Sequence, residues 1–258
     1  MQFEIPRTLY AEEHEIFRDT VARFLKEEVL PEYEKWEDAG RTPRDIWLRA
    51  GEVGLLGTST SEDYGGIGGD FLFDSIVIEE LGRYGVAAPA WDMHAYIIMP
   101  ILQNFCNEEQ KKTWLPKMVT GEWISAIGLT EPGGGSDMKE ITTNAKADGD
   151  DYIINGAKTF ITNGHIADYV LLATKTDPSL GAKGVSMFWV DLSLRGVSRG
   201  KNLKKIGNKA QDTAELFFDD VRVPAANLVG DDVLNLQMGS ASTETFTAGE
   251  EFAVGANV

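Results

Sequence analysis

The chain has 258 residues, 43% hydrophobic and 25% charged, with a formal net charge of −17. That is the balance of an ordinary soluble globular protein with room for one large or two modest domains, and it is too acidic for a general binder of nucleic acid or anionic membrane. A single cysteine, Cys106, excludes an internal disulfide and a cysteine-rich zinc site, and the separated His14, His94 and His165 form no H-x-x-H metal pair.

In chain order, the first half reads as helices. Across Glu12–Leu30, residues Ile16, Phe17, Val21, Phe24 and Leu25 fall on one face of a 3.6-residue period, and Pro31 is expected to stop or kink that helix. Thr42 followed by Pro43 predicts the next start, a capping hydroxyl before a proline at the first helical position, running to about Gly51. The glycine-dense SEDYGGIGGD, Ser61–Asp70, is a loop whose last residue caps a helix carrying Ile76, Val77 and Leu81. Asn107-Glu-Glu ahead of Lys111-Lys112 places acids at a helix start and bases later, as the helix dipole favours.

Near Gly121 the pattern changes. Ile124–Leu129, Ile141–Ala147, Tyr152–Asn155, Tyr169–Thr174, Val185–Val190 and Glu215–Phe218 are short β-rich runs between turn clusters, with a hairpin signal at Asp148-Gly149-Asp150-Asp151. No strand–helix alternation follows, so a Rossmann sheet is not expected. The fold class is α+β and multi-domain: an α-helical N-terminal domain (1–123), then a small β-barrel or sandwich middle domain (124–232). A tail, 233–258, has weak periodicity and only acidic charge, and is expected to be poorly ordered.

Charge is uneven. Residues 1–125 carry 12 Lys+Arg against 23 Asp+Glu, residues 126–230 carry 12 against 13, and residues 231–258 carry five acids and no base. An anionic small ligand meets least repulsion in the middle segment, where Arg195, Arg199, Lys201, Lys204, Lys205 and Lys209 cluster, although a solvated lysine-rich face explains that cluster as well. Met1–Pro6 has no basic and apolar leader pattern, and no apolar run approaches the ~20 residues of a membrane helix, so a cytoplasmic chain without a membrane span is expected.

Two segments could carry chemistry. Leu129-Thr-Glu-Pro-Gly-Gly-Gly-Ser-Asp137 leaves a strand through a loop with bare backbone N–H groups and hydroxyls, able to approach a flat ring or a phosphate. Lys158-Thr-Phe-Ile-Thr-Asn-Gly164 offers an aromatic and hydroxyls that could stack on a planar cofactor and bond its edge. Each alone is as readily a turn or core. Glu131 is read as fixing its own turn rather than as a catalytic acid.

Together, IGLTEPGGGSD (Ile127–Asp137), NGAKTFITNG (Asn155–Gly164) and IGNKAQDTAELFFDDVRVPAANLVG (Ile206–Gly230) resemble the acyl-CoA dehydrogenase family of flavoproteins, and within it the long-chain members. SEDYGGIGGD looks like the family's loop in the helical half. The resemblance implies FAD as cofactor, with Ile127, Leu129, Thr130, Gly135 and Ser136 on one side and Phe160, Ile161 and Thr162 on the other. Thr162 would lie near flavin N5, and Phe160 stands where many relatives carry Trp. It further implies acyl-CoA contacts from Ser136, Ala182 and Lys183, and α,β-dehydrogenation of a long-chain acyl-CoA to the trans-2-enoyl-CoA. Electron-transferring flavoprotein would be the acceptor, the protein a homo-oligomer, and the compartment the mitochondrial matrix if the source is eukaryotic.

The family's base is a Glu in a C-terminal helical domain, whose pattern stops here at about Gly230-Asp231. Glu244, Glu250 and Glu251 match no family motif, so the catalytic residue is unassigned and no metal is implied. A truncated or mis-joined end, a short protein completed by a partner, and a non-catalytic flavin- or acyl-CoA-binding remnant or interaction module all fit. An acyl-CoA oxidase is the competing enzyme reading. A two-domain chain of this kind is expected to expose apolar surface and self-associate.

Overall fold

The structure, a computed structural model, describes residues 8–230. The tail 233–258 and Glu244, Glu250 and Glu251 lie outside the described residues. The helical half comprises α1 (Glu12–Phe24), α2 (Leu30–Ala39), α3 (Asp45–Glu52), α4 (Phe71–Tyr84), α5 (Trp91–Met93), α6 (Met99–Phe105) and α7 (Glu108–Val119).

Pro31 does not end the first helix. A π-helical turn, Leu25–Val29, carries α1 into α2, with the Leu30 amide donating to Leu25 O five residues back. The widened turn absorbs a residue that has no N–H for the i→i−4 ladder. The same device recurs at His94–Ile98, ahead of Pro100 in α6. Ile16, expected on the buried face, is 62% exposed, while Phe17, Val21, Phe24 and Leu25 are buried. The start expected at Thr42-Pro43 falls instead at Asp45, with Arg44 as N-cap and Thr42 buried. Asp70 does cap α4, accepting from Leu72 N, and Asn107 with Gln110 closes a reciprocal capping box on α7.

The second half holds β1 (Ser125–Gly128), β2 (Asn144–Asp148), β3 (Asp151–Thr162), β4 (Tyr169–Lys175), β5 (Val185–Asp191), β6 (Val197–Arg199), β7 (Thr213–Pro224) and β8 (Leu228–Val229). One mainly antiparallel sheet runs β6-β7-β3-β2-β4-β5-β8, with β1 added parallel to β4. Among the described residues no pairing joins β6 to β8, so the sheet is not closed and the barrel form of the expectation is not confirmed. The β2–β3 hairpin forms at the predicted turn, with Gly149 at φ +66°. β3 and β7 are 12 residues each, three times the four-residue runs expected; Gly156 and the buried Lys158 in β3, and the exposed Asp219, Asp220 and Arg222 in β7, interrupt the apolar pattern.

Two buried clusters each span both halves. One joins Phe24, Trp47 and Trp91 of the helices to Leu172, Phe188 and Phe218 of the sheet and to Ile124 just before β1. A second joins Ile98, Trp114 and Met118 to Leu171 and Trp189, with Trp114 stacked on Trp189 at 5.7 Å. Buried His94 stitches the two: its Nδ1 accepts from the Ser125 amide (3.2 Å) and lies 2.7 Å from the Ser125 hydroxyl. That leaves Nε2–H to donate to Met118 O at 3.1 Å. Burial pulls its pKa down to about 4, so the ring is neutral. Arg44 forms a second staple, gripping both oxygens of Asp168 (3.1 and 2.8 Å) and the carbonyls of Glu122 and Ile166.

Candidate functional site

β1 and β4 run parallel, so the loops that follow them emerge at the same end of the sheet. After β1 comes the glycine-rich segment. It is closed by a reciprocal bridge, Glu131 N to Gly134 O (2.9 Å) and Gly134 N to Glu131 O (3.2 Å). Pro132, Gly133, Gly135 and Ser136 are exposed, and a Cβ on Gly133 or Gly135 would meet nothing within 4 Å. Gly133, Gly135 and Ser136, outside that bridge, therefore present exposed backbone to a ligand. After β4 comes the turn Pro178–Gly184, with Ala182 and Lys183 exposed. Lys175 joins the two loops, its Nζ donating to Lys139 O (3.3 Å) and Gly181 O (2.8 Å).

β3 brings the second motif alongside. Its register with β7 shifts between Lys158 and Ile161, a bulge that makes Lys158 and Thr159 both point inward. Phe160 then takes φ +58°, a left-handed conformation costly for a side chain with a Cβ, and its ring is 65% exposed. The Thr159 amide donates to Thr130 O at 2.9 Å, which fixes Phe160 beside the loop. Thr130, Leu129, Ile127 and Thr162 are half-buried around it, whereas the Ile161 side chain is buried in the core.

Beneath lies an ion pair that the sequence reading did not find. Lys158, with no exposed surface, donates to Glu131 Oε1 (2.8 Å) and to Leu129 O (3.1 Å). Glu131 also accepts from Thr143 N (3.0 Å), Thr142 N (2.8 Å) and the Thr142 hydroxyl (2.6 Å). Burial alone would raise its carboxyl, but these donors outweigh it and hold the pKa at about 2. Burial pulls the Lys158 ammonium below its ordinary value against the opposing pull of Glu131. Glu131 is thus a fixed anion with both oxygens occupied, as its reading as a loop anchor expected, and it does not serve as a base.

The basic cluster is not simply a solvated face. Arg199 donates to Gly164 O (3.0 Å) and Ala167 O (2.9 Å), and Lys205 donates to Thr213 Oγ1 (2.8 Å). A cleft of about 760 Å³ lies at the domain junction, lined by Lys35, Arg41, Arg44, His165, Asp168 and Arg199. Arg44 and Arg199 spend their donors on protein acceptors there, so the cleft is a seam between domains rather than the candidate site. Among the described residues no group of three or more His, Cys, Asp or Glu side chains could hold a metal ion. No helix among them is long and apolar enough to cross a membrane.

Residues 11–122 match the family model for the acyl-CoA dehydrogenase N-terminal domain, and residues 126–221 match that for the middle domain. The chain belongs to the acyl-CoA dehydrogenase family. It is 46% identical over 228 residues to the long-chain specific acyl-CoA dehydrogenase of Sus scrofa, a match covering 88% of this chain and 53% of the pig protein. The chain therefore spans about half the length of the curated relatives it matches. An acyl-CoA dehydrogenase from Geobacillus kaustophilus superposes with a TM-score of 0.85 at 46% identity, over 88% of this chain and 60% of that one. A glutaryl-CoA dehydrogenase from Mycobacterium smegmatis, solved in complex with FADH2, gives a TM-score of 0.79 at 29% identity, over 86% and 56%.

Proposed function

We propose that this chain takes part in the FAD-dependent α,β-dehydrogenation of a long-chain acyl-CoA to the trans-2-enoyl-CoA, with its N-terminal domain at 1–123 and its middle domain at 124–232. The observation that carries this reading is the strained, exposed Phe160 held by the Thr159–Thr130 bond against an open glycine-rich loop. Folding does not reward an outward aromatic ring in a left-handed conformation, but a planar ligand does. The residues present therefore fit a flavin. Ile127, Leu129, Thr130, Gly135 and Ser136 would hold it from the loop, and Phe160, Ile161 and Thr162 from β3, with Ile161 contributing backbone only. When bound, FAD would supply the hydride acceptor.

The chain's own residues do the positioning. The exposed Phe160 ring would stack on one face of the ring system and exclude water from it. The hydroxyls of Thr130 and Thr162 would hydrogen-bond its edge, and the amides of Gly133, Gly135 and Ser136 would receive phosphate. Ser136, Ala182 and Lys183 lie on the two loops that Lys175 ties together, and they would hold the CoA arm. Electron-transferring flavoprotein is the proposed acceptor, and a homo-oligomer the proposed assembly. A mitochondrial matrix is the proposed compartment in a eukaryote and the cytoplasm otherwise. The long-chain preference draws support from the 46% identity to the pig protein.

The test is the visible spectrum of the purified chain with FAD, before and after anaerobic palmitoyl-CoA. A flavin band near ~450 nm that bleaches supports the proposal. A retained band that does not bleach favours a non-catalytic flavin-binding module, fast reoxidation in air favours an oxidase, and no retained flavin overturns the reading.

A further inference from the structure

We propose that the buried Glu131–Lys158 pair is a positioning device that couples the two cofactor-facing segments, 129–136 and 160–162, into one site. This rests on the flavin reading above. A buried ion pair is a poor way to gain stability, since an apolar pair of like volume often serves as well. What an apolar pair cannot do is specify direction. Lys158 Nζ reaches across from β3 to Leu129 O, the first carbonyl of the loop, and to the carboxylate two residues on. Its stem runs beneath Gly128, where an added Cβ would sit 3.5 Å from Lys158 Cγ. The carboxylate in turn takes the amides of Thr142 and Thr143, so both ends of the glycine-rich loop are tied to one anion. The bulge turns Lys158 inward, aims the Thr159 amide at Thr130 O and sends Phe160 outward. Loop position and Phe160 conformation are set by the same two charges. Both charges are buried, so the pair would act on the cofactor through Leu129, Thr130 and Phe160 rather than by touching it.

The experiment compares the parent chain with Glu131→Gln, Lys158→Met and the double variant. Hydrogen–deuterium exchange is read on the cofactor-free chain, FAD affinity by quenching of flavin fluorescence, and stability by thermal unfolding. Each single variant is expected to lose exchange protection in 129–137 and 159–163 together, with β4 and β5 unchanged, and to weaken FAD binding about tenfold. The double variant leaves no lone buried charge. It recovers thermal stability but neither the protection nor the FAD affinity. Recovery of affinity along with stability would show a merely structural pair and overturn the proposal, as would loss of protection in one segment alone. Where a single variant does not fold, the double variant carries the same readout. If the parent chain binds no FAD, the functional reading fails, and the exchange data still decide whether the pair couples the segments.

Discussion

Replacing His94 by Gln should remove an acid sensitivity from the junction between the domains. Gln can still accept from Ser125 and donate to Met118 O, but it does not titrate. In the folded chain the imidazole is held neutral with a pKa of about 4, against 6.5 for the ordinary side chain. Above pH 6.5 both states are neutral and the preference for the neutral ring counts in full. As the pH falls toward 4 the unfolded chain takes up a proton that the folded chain refuses, and stability drops by ~1.4 kcal/mol per pH unit. By pH 4.5 the accumulated loss is about 2.5 kcal/mol. Asp74 and Asp212, whose carboxyls burial raises, act in the opposite sense, so the informative quantity is the difference between parent and variant. Urea unfolding at pH 7.5, 6.5, 5.5 and 4.5 measures it. The parent should lose about 2.5 kcal/mol relative to His94→Gln over that range, nearly all of it below pH 6.5. Parallel pH profiles, or a gap under about 1 kcal/mol at pH 4.5, would mean that the ring protonates in place and that the stitch is not what burial makes it.

Phe160→Gly should leave thermal stability within about 1 kcal/mol of the parent, because relief of the left-handed conformation offsets glycine's entropy, while FAD binding by fluorescence weakens tenfold or more. A large stability loss would show that the ring packs rather than waits. Gly156→Ala places a methyl 2.6 Å from Thr143 Cα and 2.7 Å from its Cβ at φ +151°, and should cost about 3 kcal/mol in denaturant unfolding. Arg44→Ala removes a half-exposed bidentate pair and two carbonyl contacts; the expected loss is about 1–2 kcal/mol, seen as a Tm lowered by roughly 4 °C.

What could be read from the residues is what their immediate neighbours decide. Asp70 and Asn107 cap where they stand because a cap needs only the next three amides. The Asp148–Asp151 turn forms because Gly149 accepts a positive φ wherever it lies. Thr42-Pro43 has the local pattern of a helix start, yet the helix begins at Asp45; Thr42 lies buried at a junction with residues 165–168 that no local pattern shows. Pro31 and Pro100 look like terminators, yet each follows a π turn that removes the need for its N–H. At the site, the motifs located the loop and the Phe160 strand. Their joining by Lys158 was hidden because a lysine is ordinarily read as a surface charge. The signal was present: an acid fixed in a T-E-P turn needs a buried cation, and Lys158 sits in the other motif. The two ends of the sheet, β6 and β8, are three and two residues long, too short to show as runs in the sequence.

The long β3 strand sets an order of events as well as a position. It pairs with β7 at residues far along the chain, Thr162 with Thr213 and Asp151 with Pro224. During synthesis the segment that carries Lys158 and Phe160 is made long before the strand that fixes its register. Until β7 arrives, β3 presents an unpaired edge, and the cost of closing so large a loop must be met before the sheet repays it. The cofactor-facing bulge is thus among the last features the nascent middle domain can complete.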